Sequence, residues 1–141
     1  MKSKIKDYSQ LAKLRLSSTV VFSAAIGYLL AVDQIDWKIF SMLIAGGFLV
    51  VASSNGFNQV YERDTDKLMD RTKERPMAAG RMKAAEGLLF STILGIIGMV
   101  LLYYINAKSA FFGAAALFLY AAVYTPLKTV SPIAVFVGAF P

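Results

Sequence analysis

The sequence contains no cysteine and no histidine. The first absence excludes disulfides and thiolate chemistry and leaves the redox compartment unreadable. The second excludes imidazole metal sites, a histidine general base and a histidine haem ligand. Acid is missing from the whole C-terminal part, since no Asp or Glu follows Glu86. The excess of apolar residues excludes a soluble domain with a large core. Hydrophobic residues make up 57% of the 141 positions, above the share of a soluble domain, and mean hydropathy is positive. Several runs approach the roughly 20 apolar residues that cross a bilayer. The length suits one domain, and the class is all-α, a polytopic transmembrane helix bundle. The net charge of +6 fits membrane topology better than nucleic acid, whose basic footprint needs a soluble, exposed face.

Residues 1–16 carry Lys2, Lys4, Lys6, Lys13 and Arg15 against the single acid Asp7. Ile5, Tyr8, Leu11 and Leu14 recur at three-residue steps, which predicts a short interfacial helix with one face in lipid. No small-residue cleavage site follows, so this is a retained lead-in rather than a signal peptide. Four spans are predicted, at 17–32, 39–57, 85–105 and 110–124, with a fifth apolar run beginning near 132. Gly46, Gly47, Gly95 and Gly98 mark positions of close helix approach. Ser53, Ser54, Asn55 and Asn58 make the end of the second span polar, so it should face a cavity or a neighbouring helix. Thr125-Pro126 should end or kink the fourth span. Lys and Arg number five in the lead-in and seven in the loop after the second span, and Lys128 follows the fourth. The opposite loops carry only Lys38 and Lys108. That asymmetry predicts that the N-terminus and the 58–83 stretch are cytoplasmic.

Glu62, Asp64, Asp66 and Asp70 stand in that stretch, followed by Arg71, Lys73 and Arg75. If the second helix continues through Asp70, then Asn58, Glu62, Asp66 and Asp70 fall at four-residue steps on one face, with Asp64 on the far side. Carboxylates in a line repel one another and call for a cation. Oxygen-only ligands suit a hard one, Mg²⁺ or Ca²⁺, and Mg²⁺ commonly completes its shell with substrate phosphate oxygens. Arg71, Lys73 and Arg75 offer charge-assisted donors to the same phosphates. The plainer alternative is a solvated face of surface ion pairs. A calcium loop starting at Asp64 lacks the glycine its sixth position needs, because Met69 stands there.

The segment 53–81 resembles the first aspartate-rich motif of the UbiA superfamily of intramembrane prenyltransferases. The motif Asn-x-x-x-Asp-x-x-x-Asp stands here as Asn58, Glu62, Asp66. Arg63-Asp64-Thr65-Asp66, Met69-Asp70-Arg71-Thr72 and Arg75-Pro76 resemble the continuation found in the haem-farnesylating branch. Lys13-Leu14-Arg15 is similar to that branch's Lys-Pro-Arg, and Tyr124 and Lys128 resemble its tyrosine and lysine pair. The resemblance implies a multi-pass enzyme of the bacterial inner membrane, with a central cavity open to lipid. It would transfer farnesyl from farnesyl diphosphate to a vinyl group of protohaem IX, with Mg²⁺ as cofactor. Asn58, Glu62, Asp66 and Asp70 would serve the metal, with Asn58, Glu62, Asp66 and Tyr124 catalytic and Arg71, Arg75 and Lys128 binding diphosphate. Such enzymes carry about nine helices and a second aspartate-rich motif, so the chain is expected to be an N-terminal portion, weak in diphosphate binding and catalysis alone. Two alternatives are a UbiA-type enzyme with another aromatic acceptor and a small non-enzymatic membrane protein that binds metal or lipid headgroups.

Overall fold

The computed structural model describes residues 4–139. Lys2, counted in the basic lead-in, and Pro141, at the end of the fifth run, lie outside them. Helices α1 (Lys4–Leu11), α2 (Leu14–Ala31), α3 (Trp37–Glu62), α4 (Ala84–Ile105) and α5 (Ala107–Phe118) follow in order, and no strand occurs among the described residues. Helix α5 runs through a π-helical stretch, Leu119–Tyr124, into a last turn, Thr125–Leu127. Four helices are long and apolar enough to cross a membrane: Leu14–Ala31, Trp37–Glu62, Ala84–Ile105 and Ala107–Leu127. The protein is therefore a multi-pass integral membrane protein. Ser131 starts the next segment, whose short helix is Ala134–Val137.

Two caps explain why helices begin before their apolar runs. Asp36 accepts from the amides of Lys38 (2.9 Å) and Ile39 (3.1 Å). Asn106 accepts from Ser109 N at 2.8 Å. A cap of this kind is worth about 1 kcal/mol. The gap left between the third and fourth predicted spans, 106–109, thus shrinks to Asn106 alone, and α5 begins at Ala107 rather than 110. Thr125-Pro126 neither ends nor breaks the fourth span. Proline lacks an amide hydrogen and clashes with the carbonyl four residues back. The helix widens ahead of it, with the Thr125 amide and its Oγ1 both donating to Tyr120 O.

Helices α3 and α4 form the spine. They meet along small residues, which is how helices approach when lipid offers no hydrophobic gain. A methyl group at Gly98 would lie 2.9 Å from Gly46 O and 3.0 Å from Val50 N, and one at Gly95 would lie 2.8 Å from Ser53 Oγ. Gly47 faces α2 instead, 3.8 Å from Val21. The polar end of α3 turns inward as expected. Ser53 Oγ donates to Ser91 O (2.7 Å), Asn55 Nδ2 to Ser17 Oγ (3.4 Å), and all of Ser53, Ser54, Asn55, Asn58 and Gln59 are buried.

The apolar stripe of the lead-in is divided, with Ile5 and Leu14 exposed and Leu11 turned into the protein. Leu11 is fully buried with Met77 and Met82. Buried Asp7 pairs with Arg81 at 2.8 Å, and Lys4 and Tyr8 both donate to Glu86 (2.8 and 2.7 Å). Leu11 and Tyr8 thus pack on protein while Ile5 stays exposed, and α1 straps the charged end of the bundle to the start of α4.

Candidate active site

The charged end collects residues from four elements. Asn58 and Glu62 lie one turn apart on α3, and Asn58 Nδ2 donates to Glu62 Oε2 at 2.7 Å. Helix α3 stops at Glu62, so the continuous helix through Asp70 does not form. The cause is local competition for backbone groups. Thr65 Oγ1 caps Glu62 O at 3.0 Å, and Arg63 Nη1 donates to Val60 O at 3.0 Å. A 3₁₀ turn, Asp66–Leu68, then returns Asp66 to the site, held by Thr72 Oγ1 on Asp66 O at 3.0 Å. Asp66 thus meets Glu62 by a different path from the one its spacing implied.

Arg75 joins the two acids. Its Nη1 donates to Asp66 Oδ1 (2.9 Å) and Oδ2 (2.7 Å) and stands 3.4 Å from Glu62 Oε2. Asp66 is 4% exposed and Glu62 7%. Lys128 closes the other side by pairing with Glu62 Oε1 and reaching Asn58 Oδ1 at 3.4 Å. The fully buried Thr125 Oγ1 also lies 3.0 Å from Asn58 Oδ1, so its single hydroxyl proton is shared between Asn58 and Tyr120 O. The widened turn in the fourth span sets this Thr125 contact. Tyr124 stacks on Tyr120 with ring centres 5.4 Å apart, and Lys128 Nζ lies 5.5 Å from the Tyr124 ring centre.

Asp64 and Asp70 take the plainer course. Asp64 pairs with Lys67 at 2.9 Å and Asp70 with Lys73 at 2.7 Å, all on the exposed surface. The Lys67 ammonium holds the Asp64 carboxyl below the usual carboxylate range. Arg71 is exposed as well, and no ion pair joins it to Glu62 or Asp66 among the described residues. The stretch is thus divided into solvated pairs and one buried cluster.

Three contributors escaped sequence reasoning. Gln59, one residue along α3 from Asn58, donates to Gln10 O (3.1 Å) and Leu11 O (2.9 Å), pinning the end of α1. Thr125 was legible only as a helix terminator. Lys13, counted among the lead-in bases, is half-buried within the field of Arg75, Glu62, Lys128 and Asp66. Burial first, then Arg75 and Lys128, push its ammonium down to about 8, against the pull of Glu62 and Asp66.

An apolar groove of about 210 Å³ adjoins the cluster, lined by Leu16, Val20, Val50, Val51, Ala116 and Tyr120. Asn55, one turn before Asn58, also lines it. The charged cluster thus lies one turn along α3 from an oily slot lined by α2, α3 and the fourth span, an arrangement suited to an anionic amphiphile. Among the described residues no group of three Asp or Glu could hold a metal by itself. Two carboxylates and an amide oxygen do meet the needs of Mg²⁺, which commonly takes one or two carboxylates and fills its shell with water and phosphate oxygens. Arg75 Nη1, already between the two carboxylates, marks where positive charge belongs.

A protoheme IX farnesyltransferase of Flavobacterium johnsoniae is 50% identical over 100% of this chain and 48% of its own length. One of Christiangramia forsetii is 48% identical over 97% of the chain and 46% of its own length. The mitochondrial protoheme IX farnesyltransferase of Homo sapiens is 33% identical over 93% of the chain and 30% of its own length. The chain thus spans about half the length, or less, of these curated relatives. No solved structure matches it. The model of the UbiA prenyltransferase family matches residues 20–141, taking in the buried cluster from Asn58 to Lys128, and the chain belongs to that family.

Proposed function

We propose that the cluster of Asn58, Glu62, Asp66, Arg75 and Lys128 binds the diphosphate of farnesyl diphosphate, and that the protein transfers the farnesyl group to a vinyl group of protohaem IX. The observation that carries this reading is the Arg75 guanidinium shared by two buried carboxylates at the mouth of an apolar groove. The names of the relatives supply the acceptor. Arg75 and Lys128 would turn from the carboxylates to phosphate oxygens, making charge-assisted bonds. Asn58, Glu62 and Asp66 would hold Mg²⁺, which when bound neutralises charge on the departing diphosphate. Arg75 and Lys128 stabilise that same developing charge from fixed positions, where such donors are most effective. The C–O bond breaks with its electron pair leaving on the diphosphate. The allylic carbon then bonds to the vinyl group, and water captures the resulting cation with loss of a proton. Tyr124, beside Lys128, borders the place where the allylic carbon would lie. Asp70, exposed and paired with Lys73, is left out of the metal set, and Arg71 out of the diphosphate set.

The test is to incubate the purified protein with labelled farnesyl diphosphate, Mg²⁺ and either protohaem IX or 4-hydroxybenzoate. Farnesylated haem is the expected product, in low yield from these 141 residues alone. Label appearing only in the phenolic acid would replace the acceptor, and label in neither would remove the transferase reading.

The same proposal places the protein in a bacterial inner membrane with the charged end in the cytoplasm, on the strength of the Lys and Arg asymmetry. Because the chain has no cysteine, single cysteines at Asp70 and Lys108 report orientation without background. A membrane-impermeant maleimide should label the Lys108 position from outside intact cells and spare the Asp70 position. The reverse pattern would invert the topology.

A further inference from the structure

Lys13 is the one non-glycine residue among those described with a positive φ, 46°. L-residues rarely adopt that backbone, and glycine or asparagine usually serves where a chain needs it. The strain is held in place from both sides. Gln59 grips the carbonyls of Gln10 and Leu11, Ser17 Oγ donates to Ala12 O at 2.8 Å, and the Ser17 amide donates to Lys13 O at 3.0 Å. Backbone strain maintained by its surroundings concentrates at functional positions.

The side chain is also placed against electrostatic preference. It is half-buried, and no ion pair holds its ammonium among the described residues. The carboxylates whose field reaches it, Glu62 and Asp66, are already taken by Lys128 and Arg75. Glu62 and Asp66 balance Arg75 and Lys128, so without Lys13 these side chains sum to zero charge. Before any metal binds, such a cluster has no net charge with which to draw in a polyanion. Lys13 makes it positive.

We propose that Lys13 is a third cationic ligand of the prenyl diphosphate, carried into the site by the strained break between α1 and α2. The inference rests on the diphosphate site proposed above and adds a residue to it. It also gives the α1 strap a purpose, since Gln59 and the Asp7–Arg81 pair fix the segment that delivers Lys13.

The test uses the purified protein in lipid nanodiscs, with equilibrium binding of farnesyl diphosphate, farnesol and protohaem IX measured separately. Lys13→Asn keeps a residue that tolerates the left-handed turn and removes the charge. It should weaken farnesyl diphosphate binding about tenfold, as loss of a charged hydrogen bond does. Farnesol binding and melting temperature should be unchanged, and Lys13→Arg should restore most of the affinity. Unchanged diphosphate binding in Lys13→Asn, with the wild type binding, would overturn the proposal and leave the diphosphate site standing. A parallel loss of farnesol binding or a lowered melting temperature would make Lys13 structural and also overturn it. Weakened protohaem binding with diphosphate binding intact would assign Lys13 to the acceptor instead. A wild type that binds farnesol but no diphosphate would remove the parent reading and this one with it.

Discussion

Arg75→Ala is expected to lower the unfolding free energy by about 3 kcal/mol, the scale of removing one partner of a buried ion pair. The loss falls on Asp66. Its carboxylate is 4% exposed and takes both of its hydrogen bonds from Arg75 Nη1. Truncating Arg75 strands that charge with little water to replace the guanidinium. Glu62 suffers less, because Asn58 and Lys128 still hold it. Asp66→Asn in the same background should recover much of the loss, since it removes the stranded charge rather than adding a contact. Unfolding in a graded denaturant–detergent series for the wild type, both single variants and the double variant closes the cycle. Purely additive losses would show that Asp66 and Arg75 are not coupled as their geometry requires.

The helices were legible because crossing a membrane imposes a length and a composition on each one. Their ends were less so, because single side chains such as Asp36 and Asn106 decide them. At the site, the four-residue spacing of Asn58 and Glu62 translated directly into contact. The same spacing carried to Asp66 and Asp70 did not, because the side chains of Thr65 and Thr72 claim backbone carbonyls that a longer helix would have used. Asp66 returns to the cluster through a 3₁₀ turn, and Asp70 goes to solvent. The cations were the least legible part. Arg75 and Lys128 stood among many bases, and nothing in local periodicity separates Arg75 from Arg71. What separates them is tertiary placement, with Arg75 partly buried against two acids and Arg71 exposed. The lead-in stripe is divided for a related reason. A three-residue apolar repeat marks a face, not what covers each residue of it, and here Met77 and Met82 cover Leu11 while Ile5 and Leu14 stay exposed.

Glu62→Gln and Asp66→Asn are each expected to lower the rate of the proposed farnesyl transfer by about 10²–10³-fold, the scale of removing one fixed group that stabilises developing charge. The shape of the site should survive. Gln at position 62 can still accept from Asn58, and Lys128, partly exposed, can be solvated where it loses its partner. Asp64→Asn and Asp70→Asn serve as internal controls of the same chemistry. Their pairs with Lys67 and Lys73 lie in solvent, where such bridges contribute under about 1 kcal/mol, so transfer should fall by about twofold or less. The pattern across the four substitutions separates a buried site from a charged surface, which total acidity cannot do. A loss at Asp70 equal to that at Asp66 would restore the longer acidic face and contradict the division made by the 3₁₀ turn. The split between kcat and KM then locates the role. If the carboxylates act mainly on the departing diphosphate, kcat falls while KM for farnesyl diphosphate stays nearly constant. If they act equally on the bound substrate, KM rises and kcat holds. Buried carboxylates already satisfied by Arg75 and Lys128 favour the first outcome. Releasing those cations to an incoming diphosphate leaves Glu62 and Asp66 short of positive charge, and that shortage is relieved only when a metal–diphosphate pair is in place.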